Sequence, residues 1–353
     1  MGDQLINHWG QACQDALDGN AIKKIESTAI ITLIDNAQKD ADEYFAKPHS
    51  NNSNQRDTTA VQLFFRGESK DYPDSRLLPS VFRAKKGKRE YNEKEEYYDA
   101  LTNFPDELAD LSNLSKLAKM QHYNYPTRLL DLTTNPLVAL WFACSDYSRY
   151  RETPKVQKDG YFYIVATKTD NILTCDSDKA LLLSCLAQLK EDEMDALLKF
   201  LREAIAKGKS GLPFGGIDKQ YVDPIIEKSR TAKEDIPTGV LAFQKLISEA
   251  TRERTDFANY RTIPKHLLST FVVRPMVQNE RQKAQHGLFA IFGLPADGNE
   301  NYHNSNEYFI KRYMIPNQMK MVILKQLDKL GINEATLFGD LESRTSHNRW
   351  LKG

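Results

Sequence analysis

The sequence predicts an α+β protein built on a central sheet. Strand-like segments stand at 61–66, 160–167, 267–275, 287–292 and 307–315. Helical stretches separate the first of these, but the last three follow one another with short breaks. The regular strand–helix alternation of a doubly wound fold is therefore absent. The chain has 353 residues, 41% of them hydrophobic, enough for one large domain or two ordinary ones.

The first 46 residues read as helical, with apolar residues in 23–46 at mixed three- and four-residue spacing. The polar stretch 47–59, "KPHSNNSNQRDTT", reads as a linker. Val61, Leu63 and Phe65 then alternate with Gln62, Phe64 and Arg66, the period of a strand, which ends at Gly67. Helices are expected over 89–104 and 105–123, with Pro105 in the first turn. "YPTRLLDLTT" reads as a loop or short strand. Asn135 and Pro136 form an N-cap followed by Pro at the first helical position. Leu137, Leu140, Trp141 and Cys144 make the apolar stripe of the helix that follows. After the strand at 160–167, residues 177–208 and the stretch to about 260 read as helical, broken by "KSGLPFGGIDK". The strands at 267–275, 287–292 and 307–315 precede a helix closed by Gly331 and a final short helix.

Lys plus Arg and Asp plus Glu both number 48, so the formal net charge is zero. That balance gives no whole-protein footprint for nucleic acid or an acidic membrane and leaves a local basic groove open. Cys13, Cys144, Cys175 and Cys185 lack metal-ligand spacing, so no metal site is expected. The N-terminal residues show no basic stretch followed by an apolar one, and Ile6 occupies the Ser/Thr position of a myristoylation motif. No apolar run approaches the ~20 residues that span a bilayer. The chain reads as cytoplasmic, without a membrane partner.

Polar residues gather at three places. Arg66 ends a strand beside Gly67, where it either pairs with a surface carboxylate such as Glu68 or aims a planar fork at a phosphate or ribose. Gly67 would admit a ligand close to the backbone. The second group holds His122, Tyr125, Thr127, Arg128, Asp131, Thr133, Thr134 and Asn135 at the mouth of an apolar helix. Arg128 and Asp131 are read as an internal ion pair, and Asn135 as a cap. The free N–H groups of the helix start suit an anion. The third group is Gln285 and His286 before Gly287. No P-loop, nucleophile elbow or H-E-x-x-H motif is present.

Taken together, Phe65-Arg66-Gly67, the stretch "QHYNYPTRLLDLTTNPLVALWFA" and the Gln285-x-Gly287-x-Phe289 element resemble the FRG domain family. The resemblance runs over about 61–345. It implies an N-terminal helical segment at 1–48, an FRG domain in two pieces, 61–175 and 261–345, and a helical insertion at 176–260. A second resemblance is to ADP-ribosyltransferases of the Arg-Ser-Glu type. These carry an Arg on a first strand, an S/T-rich strand before an apolar helix, and then a catalytic Glu. It implies an ADP-ribosyltransferase-like, mostly antiparallel sheet with NAD as substrate. Arg66, Gly67, Thr127, Arg128, Thr133, Thr134 and Asn135 would bind the nucleotide. Arg66, Gln285, Asp131 and His122 would form the catalytic set. The sequence departs from that pattern at Gln285, which accepts a hydrogen bond but supplies no negative charge. Either Asp131 substitutes, or the domain binds a nucleotide without turning it over. His122 is a general base or a core histidine.

The leading reading is an NAD-binding or NAD-cleaving effector, a bacterial toxin or phage-defence protein. One alternative is a non-enzymatic ligand-sensing module that engages a protein through its N-terminal helices or insertion. Another is a nuclease or other phosphoester-processing protein, with "AKKGKR" at 84–89 steering a nucleic acid. On the leading reading Arg66, Asp131 and Gln285 line one pocket.

Overall fold

A computed structural model describes residues 23–24, 30–46, 60–72, 77–85, 88–89, 91–147, 158–207, 216–276, 279–294 and 307–352. The linker 47–59, Cys13 and most of the 209–219 break lie outside these residues. The strands are β1 (Lys23–Lys24), β2 (Val61–Glu68), β3 (Ala84–Lys85), β4 (Lys88–Arg89), β5 (Leu129–Thr133), β6 (Gly160–Lys168), β7 (Ile172–Thr174), β8 (Thr270–Arg274), β9 (Gly287–Phe292) and β10 (Tyr308–Ile315). The basic run at 84–89 supplies β3 and β4, a separate hairpin. The other eight form one sheet in the order β1-β10-β6-β2-β5-β9-β8-β7. Its inner pairings are antiparallel, and only the outer pairs β1–β10 and β7–β8 are parallel. The protein is thus α+β with a mixed, mostly antiparallel sheet.

The alternation in β2 holds. Gln62, Phe64 and Arg66 oppose Thr167, Val165 and Tyr163 of β6 on one face, while Phe65 and Gly67 face the other way. The face of Phe64 buries a single cluster drawn from β2, β5, β6, β8, β9 and β10, together with Leu77, Leu78, Val81 and Phe82. The sheet curls around it: Tyr308 in β10 donates its hydroxyl hydrogen to the Thr270 oxygen in β8 at 2.7 Å, though four strands lie between them.

The face of Phe65 is covered by two blocks of helices. Helices Ile30–Ala46, Pro136–Ala143 and Asn317–Lys329 cover β2, β6 and β10. Helices Glu93–Asn103, Asn113–His122, Asp178–Cys185, Glu191–Lys207, Lys219–Ala232 and Thr238–Glu253 pack with β5, β8 and β9 in a second core. The 176–260 stretch therefore has no core of its own; it completes the one begun by residues 93–122.

Several segments differ from expectation. The helix expected over 105–123 is two, Pro105–Leu108 and Asn113–His122, the second capped by Ser112. Lys23–Lys24, placed in a helix from the sequence, extends the β10 edge, and the helix begins only at Ile30. Strand β7 lies in a stretch left unassigned from sequence, because three residues are too few to show a period. Gly331, with φ of 76°, closes the Asn317–Lys329 helix as expected.

Candidate functional site

The central sheet has a seam. Strands β2 and β5 pair only at Phe65 and Thr133, whereas β2 pairs with β6 along its whole length. The two helical blocks flank this seam. Between them lies a cavity of about 400 Å³. Phe65, Val138, Ala139 and Phe142 wall it on one side; Ala118, Gln121, His122 and Phe289 wall it on the other. The short helix Glu280–Ala284, capped by Asn279, contributes Arg281 and Gln282.

Where the ladder stops, Arg66 bridges the gap. Its Nη1 donates to the main-chain oxygen of Asp131 at 2.9 Å, and its Nε donates to Glu68 Oε1 at 3.1 Å. Glu68 is buried, and its other oxygen has no hydrogen-bond partner among the described residues. Arg66 thus makes the expected pair with Glu68, which is buried rather than at the surface, and it also lines the cavity.

Gly67 lines the cavity too, but packing accounts for it. A Cβ there would lie 1.8 Å from the Ala139 oxygen and 2.5 Å from the Ala143 nitrogen. The residue lacks a side chain because the Pro136–Ala143 helix lies against β2, which corrects the expectation of a close ligand approach.

Arg66, Asp131, Thr133, Gln285 and His122, far apart in sequence, meet at this one cavity. The Asp131 side chain is exposed there. Thr133 donates its hydroxyl hydrogen to the Gln285 main-chain oxygen at 2.7 Å and accepts from the Asn135 N–H at 3.0 Å, so its polar capacity serves the wall. The Gln285 side-chain amide donates to the Leu337 oxygen at 3.1 Å. That bond leaves its carbonyl end as the free acceptor. Burial, then the charges of Arg281 and Lys119, lower the His122 pKa, so its imidazole is neutral at pH 7.

Four residues expected at the ligand lie off the cavity wall. Arg128 is fully buried and does not pair with Asp131. Asp131 lies in β5, whereas Arg128 sits in the bend just before that strand. Arg128 instead grips Glu93 through Nε at 2.9 Å and through Nη2, and donates from Nη1 to the Phe292 oxygen at 3.1 Å. Thr127 is buried and donates its hydroxyl hydrogen to Gln121 Oε1 at 2.7 Å. The Thr134 N–H donates to the His286 oxygen at 3.3 Å, and Asn135 caps its helix by accepting from the Leu137 N–H at 3.0 Å.

Sequence reasoning missed Arg83 and Arg281. Arg83 follows the short turn Ser80–Phe82, and Arg281 stacks over the Phe338 ring at 4.5 Å. Arg83 directly precedes the basic run "AKKGKR" and Arg281 stands four residues before Gln285, but no period marks either position. With them the cavity wall carries three arginines against one carboxylate, Asp131. Among the described residues no group of His, Cys, Asp and Glu is arranged to hold a metal, and no helix is long and apolar enough to cross a membrane.

Residues 61–152 match the family model of the FRG domain. The match takes in β2, β5 and the Pro136–Ala143 helix, and with them Arg66, His122 and Asp131. No curated protein and no solved structure matches the chain.

Proposed function

We propose that the β2–β5 cleft binds NAD or a related phosphate-bearing nucleotide and that the domain is ADP-ribosyltransferase-like, transferring ADP-ribose or cleaving NAD. The observation that carries this is the charge pattern of the cavity: Arg66, Arg83 and Arg281 against Asp131, at the point where the central sheet splits. Guanidinium forks match phosphate oxygens. Partly exposed aromatic rings, Tyr125 and Phe142, offer faces for a planar base.

In this reading Arg66 holds the phosphates and the free oxygen of Gln285 accepts from a ribose hydroxyl. As nicotinamide leaves, positive charge develops on the ribose ring. Asp131 supplies the negative charge that Gln285 lacks. Neutral His122 takes the proton from the attacking water or acceptor. An NAD-consuming domain of this kind would serve as a toxin or phage-defence effector in a bacterial cytoplasm.

A ligand-sensing role without turnover is the second reading. It is favoured by Gln285 itself, whose amide is committed to the Leu337 oxygen. Calorimetric titration with NAD and chromatographic detection of nicotinamide separate the two. Binding with release of nicotinamide supports the enzyme, and binding without release supports the sensor. If NAD neither binds nor is cleaved, both readings fail.

A further inference from the structure

We propose that Arg83 is a second anion-binding residue of the cleft, and that with Arg66 it selects ligands carrying a phosphate ester over uncharged ones. This inference rests on the cleft being a ligand site, though not on the ligand being NAD.

Arg83 arrives from outside the sheet, on an arm formed by residues 77–83. The arm is anchored along its length. Leu77, Leu78, Val81 and Phe82 are buried in the inner cluster. The Val81 N–H donates to the Thr127 oxygen at 3.4 Å, and the Thr127 N–H donates to Ser80 Oγ at 3.2 Å. Thr127, expected at the ligand, therefore docks the arm that carries Arg83. At the end of the arm Arg83 Nε donates to the Leu78 oxygen at 3.1 Å. That bond fixes the plane of the guanidinium and leaves its two terminal nitrogens for the cavity it lines.

Its surroundings suit an anion. Among the described residues no carboxylate lies within ion-pair distance of Arg83, and Glu68 is taken by Arg66. Burial, then the Arg66 charge, lower the Arg83 pKa; Glu68, Tyr72 and Asp131 offset this in part. Arg281 acts on His122 in the same sense. Crowded, half-buried cations are unfavourable unless an anion sits among them. An extended phosphate ester supplies acceptor oxygens to both forks at once.

The test titrates the full chain with ADP-ribose, adenosine and inorganic pyrophosphate, using wild type, Arg83→Gln and Arg83→Lys, with unfolding midpoints recorded for each. Wild type should bind ADP-ribose far more tightly than adenosine. Arg83→Gln should weaken ADP-ribose by roughly 10- to 100-fold, the loss expected for hydrogen bonds to a charged group. Arg83→Lys should fall between, keeping the charge but losing the fork. If pyrophosphate binds with this Arg83 dependence while ADP-ribose does not, the anion role stands and the nucleotide reading falls. Equal wild-type affinity for adenosine and ADP-ribose overturns the proposal, as does failure of both anions to bind. Unchanged affinity in a folded Arg83→Gln does the same. Should that variant not fold, the wild-type comparison and the Lys variant decide.

Discussion

Arg66 Nη1 donates to the main-chain oxygen of Asp131 at 2.9 Å, at the place where the β2–β5 ladder ends. A side chain thus takes over a bond that the backbone of a continuous sheet would make. The same guanidinium holds the buried Glu68 and reaches the cavity, so one residue both closes the seam and lines the site. Arg66→Ala should therefore lose stability as well as ligand binding. It strands a buried carboxylate and a carbonyl, and the expected loss is about 1–3 kcal/mol. Urea unfolding measures it. A midpoint equal to wild type would show that Arg66 has no part in holding the seam.

Gly67→Ala should destabilise the protein with no ligand present. The added methyl would meet the Ala139 oxygen at 1.8 Å and push the Pro136–Ala143 helix off the sheet. Overpacking of this kind costs about 1–3 kcal/mol or more. A variant as stable as wild type but unable to bind would restore the ligand-approach explanation of this glycine.

Asp131→Asn should leave stability within about 0.5 kcal/mol of wild type, because the side chain is exposed and makes no pair with Arg128. NAD turnover should be lost while NAD binding persists. Thermal unfolding and nicotinamide release, measured together, check both halves. Full turnover in the variant would remove Asp131 from the chemistry.

Glu93→Gln should be the most damaging of these exchanges to the fold, although Glu93 lies off the cavity wall. It leaves Arg128, with no exposed surface, without its counter-charge. Breaking a buried pair by removing one partner costs about 3–5 kcal/mol. Chemical denaturation should show an early midpoint, and the fraction still folded should bind ligand normally. An unchanged midpoint would mean that water reaches this pair.

His266 should make stability pH-dependent on the acid side. Burial, then Lys179, push its pKa down from 6.5 to about 4. The unfolded chain takes up this proton first as pH falls. The native state is therefore favoured fully above pH 6.5 and loses that advantage on the way down to about pH 4. His266→Gln should flatten the slope of unfolding free energy in that window. Equal slopes in variant and wild type would place the imidazole in water.

The sequence by itself determined the types of the longer elements, because each rests on local physics. Alternation marked β2, the Asn135–Pro136 cap marked the start of a helix, and Gly331 marked the end of one. The FRG-like residues were also legible, and with them the meeting of Arg66, Asp131 and Gln285. Tertiary structure alone decided what those residues touch. Spacing suggested that Arg128 and Asp131 pair, but Arg128 sits in the bend before β5 and goes to Glu93, 35 positions earlier. Gly67 looked like space for a ligand until the Pro136–Ala143 helix was found lying on it. Arg83 carried no signal, since its place at the cavity depends on an arm docked through Thr127. Periodicity reports which face of an element is apolar; which distant group meets that face is settled by how the sheet curls and where it splits.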